Sequence, residues 1–226
     1  MTRRSVVYCL AGVLGLCSIA LARQTILQDS FANVQQWAST DGPAPQAAKI
    51  TLGTHAMQCM MLGNGVAKAE LPDVIHQSWV LAFDALNCDW QRALWVGLFN
   101  AEGTQGYAAT WDSSKQAFGS GQGFVSIARF SLRKPVTWAD QLGKLLTAPV
   151  PSGAPAVGGQ PAHIVLAWDQ PSGTLTLKVN NVIKARCVDK TFASFARVYV
   201  RGNERSLFAN LRVTLRSATT QPARAR

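Results

Sequence analysis

Carboxylates are weighed first, because a pair of them flanking one bond is the simplest hydrolytic device that side chains can build. The chain has 12 acidic residues among 226. Glu70, Glu102 and Glu204 have no second acid close by on the same strand. Asp73 follows Glu70 across Pro72, but Glu70-Leu71-Pro72-Asp73 reads as a strand end and turn. A less regular set, Asp84, Asp89 and Asp112, keeps a hydrolase or lyase open. His55, His76 and His163 lie far from one another, with no second histidine at ligand spacing, which argues against zinc. His163 opens a strand, where a structural histidine is the expected reading. The string Gly119-Ser120-Gly121-Gln122-Gly123 lacks the Lys-Ser/Thr ending of a phosphate loop and the Gly-x-Ser-x-Gly order of a nucleophile elbow.

Binding chemistry has better candidates. Trp95, Phe99, Tyr107 and Trp111 fall on one hairpin, 93–111, whose turn is Glu102-Gly103-Thr104-Gln105-Gly106. Alternate residues of a strand share a face, so Trp95, Gly97 and Phe99 point one way, and Tyr107, Ala109 and Trp111 share a side of the return strand. Such rings either fill the core or form a platform, with Gly97 and Ala109 leaving room for a ligand. The second group is basic: Arg197, Tyr199 and Arg201 alternate along one strand, and Arg212 lies on the next. If those strands are neighbours, they make an arginine and aromatic stripe suited to sulfate, carboxylate or phosphate. The alternative is a solvated face whose arginine stems cover apolar surface.

The elements that must position these residues read as strands. Short apolar runs bounded by turn residues recur at 26–31, 48–52, 56–62, 66–71, 78–86, 123–130, 163–169, 174–179, 183–188, 196–201 and 207–215, besides the hairpin. That spacing marks a β-sandwich or barrel. Leu142, Leu145 and Leu146 instead have helical spacing and predict a short helix within 138–147. The Pro- and Gly-rich stretch 148–161 reads as a long surface loop.

Residues 1–22 read as a secretory signal: Arg3 and Arg4, an apolar run over 6–19, then Ala20-Leu21-Ala22. The expected product is exported, to a periplasmic or extracellular location, with no membrane span. Without Arg3 and Arg4 the 22 basic residues become 20, against 12 acidic ones, a net charge of about +8. Cys59, Cys88 and Cys187 remain, and which of them pair stays open. Residues 217–226 read as a frayed basic tail. With no repeat in between, 23–216 suits one domain. Nucleic acid is not expected as a partner, since charge is its only support.

Three further stretches carry a family resemblance. Asp29-Ser30-Phe31 with Trp37, the run from Ala167-Trp168-Asp169-Gln170-Pro171-Ser172-Gly173-Thr174 to Asn180-Asn181, and Leu207-Phe208-Ala209-Asn210-Leu211-Arg212-Val213 resemble the opening, late-hairpin and closing strands of concanavalin A-like lectin/glucanase domains, including the laminin-G-like domains of secreted bacterial proteins. The resemblance implies a jelly roll of two curved antiparallel sheets, with ligands on the concave sheet or at its rim. Catalytic relatives carry two glutamates around an aspartate on a single strand, a motif for which this chain offers no residue. Relatives often place an aspartate where Ala209 stands, and in glycan-binding branches it helps hold a structural calcium. With that ligand missing, Asp29 and backbone carbonyls are the remaining donors and no cofactor is expected. The sequence therefore predicts an all-β jelly-roll sandwich with one short helix in a long loop. Its expected role is a non-catalytic glycan-binding or adhesion module for a polysaccharide or glycoconjugate, an acidic one among them. A structural cell-envelope protein that binds other proteins is the remaining alternative.

Overall fold

Apolar side chains that alternate with polar ones along short runs can be buried only on one face of a strand, and sheets must then pair such faces. The computed structural model follows this rule, and describes residues 23–52, 55–87, 93–112, 122–140, 143–155, 161–203 and 206–216. The first strands are β1 (Arg23–Asp29), β2 (Ala38–Asp41), β3 (Gln46–Leu52), β4 (His55–Leu62), β5 (Gly65–Ile75) and β6 (Trp79–Asn87). Then come β7 (Ala93–Phe99), β8 (Gln105–Asp112), β9 (Gln122–Ser131), β10 (Lys144–Leu145) and β11 (Val150–Pro155). The last are β12 (Ala162–Asp169), β13 (Thr174–Val179), β14 (Val182–Val188), β15 (Phe195–Gly202) and β16 (Ser206–Arg216).

Two antiparallel sheets result. Sheet 1 has the order β14-β13-β12-β6-β16-β4-β3, with β1 also paired to β16. Sheet 2 has the order β10-β9-β8-β7-β15-β5-β2, with β11 also paired to β9. Trp79, Phe83, Leu166, Trp168 and Phe208 of sheet 1 meet Leu94, Val96, Leu98, Tyr107 and Trp111 of sheet 2 in one continuous core. Each such side chain contributes about 1.5–3 kcal/mol on full burial. Jelly-roll sandwich is thus the fold.

Asp29 is fixed as a cap between β1 and the next turn. Its Oδ1 accepts from Phe31 N at 2.6 Å, and its Oδ2 from Trp37 Nε1 at 2.6 Å and Gln36 Nε2 at 2.5 Å. Both oxygens of the Asp29 carboxylate are thus engaged by N–H donors of the following turn.

The expected helix over 138–147 is not there among the described residues. Gly143 has φ +57, Leu145 of β10 pairs with Ala128 of β9, and Leu146 N donates to Ile127 O at 2.8 Å. The leucine spacing is helical, but the bonds are those of an edge strand; Leu142 lies outside the described residues. The expected loop over 148–161 likewise contains β11, whose Val150 and Pro151 pair with Val125 and Phe124 before a bulge. Pro151 is tolerated because the strand lies on the sheet's edge. The expected signal over 1–22, the expected tail over 217–226, Cys88, Asp89, Glu204 and 119–121 lie outside the described residues. Cys59 is buried on the outer face of sheet 1. Burial, then the neighbouring Asp189 charge, push the Cys187 thiol pKa upward, so it is a poor nucleophile.

Candidate functional site

The outer face of sheet 2 holds five of the eight candidate binding residues, Trp95, Phe99, Arg197, Tyr199 and Arg201. Registers across five strands order it into three rows. They are Val66–Arg201–Trp95–Thr110–Ser126, Lys68–Tyr199–Gly97–Ala108–Ala128 and Glu70–Arg197–Phe99–Gly106–Phe130. Trp95 and Phe130 rings lie 4.9 Å apart, Phe99 and Phe130 5.3 Å, and Phe99 and Tyr199 5.0 Å. This aromatic cluster is what a sugar-stacking platform would need, yet none of these four rings is open to solvent.

The chain itself covers them. After β9 the segment 132–140 crosses the face as a strap, packing Leu132, Val136 and Trp138 onto the rings. Its path follows from short-range chemistry. Leu132 N donates to Thr104 O at 2.8 Å and Val136 N to Gly103 O at 2.9 Å, which tie it to the β7–β8 turn. Thr137 N and Oγ1 donate to Asp140 Oδ2 at 2.8 and 2.9 Å, closing a turn. At the far side Trp138 N donates to Asp41 Oδ2 at 2.7 Å, and Trp95 Nε1 donates to Asp140 O at 3.1 Å.

Arg201 is the strap's charged anchor. It is 0 % exposed, its Nε donates to Trp138 O at 2.8 Å, and its guanidinium lies 5.2 Å from the Trp138 ring centroid. Gly103 makes the crossing possible: at φ +69, a Cβ there would stand 2.2 Å from Tyr199 Oη. Gly97 was expected to leave room for a ligand, but a Cβ there would meet Tyr107 O at 2.5 Å and Ala108 Cβ at 2.8 Å. Its smallness therefore serves strand packing.

The remaining candidates disperse. Tyr107 and Trp111 pair with Leu98 and Leu94 and share their inward face, so the four hairpin rings split two outward and two inward. Tyr107 Oη donates to Asp189 Oδ1 at 2.7 Å, and Arg129 Nη1 to Asp189 Oδ2 at 2.7 Å, closing one side of the sandwich. Arg212 is in β16 of sheet 1 while Arg197 and Arg201 are in β15 of sheet 2, so the expected arginine stripe does not form. The connection between consecutive strands crosses from one sheet to the other. Arg197 instead pairs with Glu70, Nε to Oε2 at 2.8 Å, and Lys68 reaches Glu70 Oε1 at 3.3 Å. The Arg197 hydrogen bond, against a smaller burial effect, holds the Glu70 carboxyl below its ordinary pKa, the opposite of a general acid. Asp84 and Asp112 of the alternative acid set lie in different sheets. Sequence reasoning missed Trp138, Asp140 and Asp41 as the strap's fastenings; the Thr137-x-x-Asp140 turn pattern was the available signal.

No family model matches the chain, and no curated protein matches it. Solved structures do. β-Agarase A from Zobellia galactanivorans superposes with TM-score 0.58 at 12% identity, over 88% of this chain and 94% of that one. The CBM2 module of Lactobacillus casei BL23 phage J-1 evolved Dit gives TM-score 0.55 at 7% identity, over 87% and 97%. The carbohydrate binding module CBM66 from Bacillus subtilis gives 0.52 at 11%, over 78% and 93%. The chain thus has the lectin/glucanase-like sandwich fold of these proteins.

Proposed function

We propose that the chain is an exported, non-catalytic glycan-binding module. The observation that carries this reading is that six of the ten acids among the described residues are engaged in holding turns, the strap or the side of the sandwich. Asp29 caps a turn, Asp41 holds the strap, Asp140 and Asp169 close turns, Glu70 pairs with Arg197, and Asp189 binds Tyr107 and Arg129. A retaining glycosidase needs two carboxyls about 5–5.5 Å apart around one bond, and these acids serve structure instead. Two of the three solved structures above are carbohydrate-binding modules by name, which supports a shared ligand class on a shared fold. The signal-like residues 1–22 support export to where polysaccharides are met.

The test is co-sedimentation of the purified protein with insoluble agarose, cellulose and cross-linked uronan, with reducing ends counted in the same tubes. Retention without new reducing ends is the expected result. Reducing ends that disappear in Asp84→Asn or Asp112→Asn would establish a hydrolase instead. Retention by none of the three would remove the glycan reading.

A further inference from the structure

The opposite face of the sandwich, the outer surface of sheet 1, carries a cluster that the strap does not touch. Asp84 in β6 lies across from His163 in β12 and from Ala209 in β16. Asp84 Oδ1 is 2.6 Å from His163 Nδ1, and its Oδ2 accepts from Asn210 Nδ2 at 2.6 Å. Asn210 reaches it because β16 has a bulge between Ala209 and Arg212, where Asn210 takes φ 50. A non-glycine residue in that region is uncommon and tolerated best by asparagine. Main-chain His163 N donates to Asn180 Oδ1 at 2.9 Å, which fixes the strand beneath the ring.

Both oxygens of Asp84 are thus directed at its neighbours in the sheet, and the outward atoms are other ones. His163 has a side chain 44% exposed against 18% for Asp84, and Nε2 is the ring nitrogen that Asp84 does not engage. Asn210 retains its Oδ1 as an acceptor. Arg212 is exposed and has no ion-pair partner among the described residues, and its charge acts on His163. Alongside runs the row Lys178–Val165–Ala82–Arg212–Gln28, and beyond it Thr176–Ala167–Val80–Thr214–Thr25. Ala82, Val165, Ala167 and Val80 are all partly exposed. The result is a shallow floor of small apolar side chains, bordered by two cations, an imidazole and an amide oxygen.

We propose that this patch is a binding site for an acidic sugar unit, a uronate or a sulfated residue, of the glycan to which the module attaches. Arg212 and the Nε2–H of protonated His163 pair with the anionic group, Asn210 Oδ1 accepts from a neighbouring hydroxyl, and the Ala82–Val165 floor receives the C–H face of the ring. The chemistry is selective because only an anion gains two charge-assisted bonds here. The proposal rests on the glycan-binding reading above.

Protonation matters to it. The charged groups that act on His163 are Asp84 from β6 and Arg212 from β16, while Lys178 from β13 lies in the next row, opposite Val165. The Asp84 hydrogen bond raises the histidine pKa above its ordinary value, opposed by partial burial and by Arg212. The cationic form therefore persists to higher pH than in a free histidine, and anion binding weakens as pH rises through that raised value.

The experiment is affinity electrophoresis of the full chain in gels containing sodium polygalacturonate, dextran sulfate or neutral dextran, at about pH 5.5 and about pH 8.5, on either side of the histidine range. Arg212→Gln and His163→Gln are compared with Lys134→Gln, which removes one exposed charge from the strap on the other sheet. Retardation by an acidic polymer about tenfold weaker in Arg212→Gln than in Lys134→Gln is expected, as is a pH step that is absent from His163→Gln. Arg212→Lys restores part of the retardation. Equal losses in Arg212→Gln and Lys134→Gln, or a pH step that survives His163→Gln, would overturn the site. Retardation by neutral dextran alone overturns this site and leaves the glycan reading standing, whereas no retardation in any gel overturns both.

Discussion

Replacing Arg201 by methionine isolates what holds the strap over the aromatic face of sheet 2. Methionine keeps the apolar stem that packs there and removes the charge, the hydrogen bond to Trp138 O and the stacking on its ring. A hydrogen bond with a charged donor contributes about 1.5–3 kcal/mol, and a desolvated cation–π contact about 2. Relief from burying a guanidinium offsets several kcal/mol of such gains. Trp138 O, left without this donor, costs about 1–3 kcal/mol. The balance is a loss of about 2–3 kcal/mol, a fall in Tm of roughly 4–12 °C for a chain of this size. Because Trp95 and Trp138 lie under and on the strap, its release also shifts tryptophan emission to the red and creates binding sites for an apolar dye, with the far-UV spectrum unchanged. Thermal unfolding and emission spectra read both. An Arg201→Met protein with equal or higher Tm and unshifted emission would refute the reasoning, and show that the apolar contacts of Leu132, Val136 and Trp138 suffice.

Other outcomes follow from single positions. Gly103→Ala must place a Cβ 2.2 Å from Tyr199 Oη at φ +69, so it lowers stability by about 2 kcal/mol or more in urea unfolding, and an unchanged midpoint would contradict the crossing described. Asp29→Ala strands three N–H donors, two of them in buried residues, and lowers stability by about 2–4 kcal/mol. Burial pushes the Asp189 carboxyl up, but hydrogen bonds from Thr191 and Tyr107 and the Arg129 charge outweigh it and leave the pKa lowered. That stabilisation is present above the unfolded value of about 3.9 and is lost as pH falls through the lower folded value. Asp189→Asn should therefore be less stable at neutral pH and show a flatter acid limb in unfolding midpoints measured against pH.

The long strands were legible because each is an apolar-rich run of strand length bounded by turn residues, alternating with polar residues in Thr174–Val179 and continuously apolar over 164–168 of Ala162–Asp169. The short ones were not. Ala38–Asp41, Lys144–Leu145 and Val150–Pro155 owe their strand character to the partners they lie beside, β5 and β9, rather than to their own composition. Leu145 and Leu146 show the same override, since Gly143 and the edge of β9 decide against the helical spacing. For the site, alternation told which residues of a strand share a face but not which faces of two strands coincide. Register decides that: Leu98 opposite Tyr107 turns Tyr107 and Trp111 inward while Trp95 and Phe99 stay outward. Topology decided the arginines, because β15 and β16 are consecutive in the chain yet belong to different sheets. By the same means His163, Asp84, Asn210 and Arg212, scattered over three separate strands in sequence, become neighbours.

Binding of the purified protein to an array of neutral, uronate and sulfated oligosaccharides, read beside the same array after incubation and washing for cleavage, tests the central claim most directly. The account predicts retention on a subset of glycans, with every retained oligosaccharide intact. Retention on none, or shortened oligosaccharides wherever the protein binds, would contradict it.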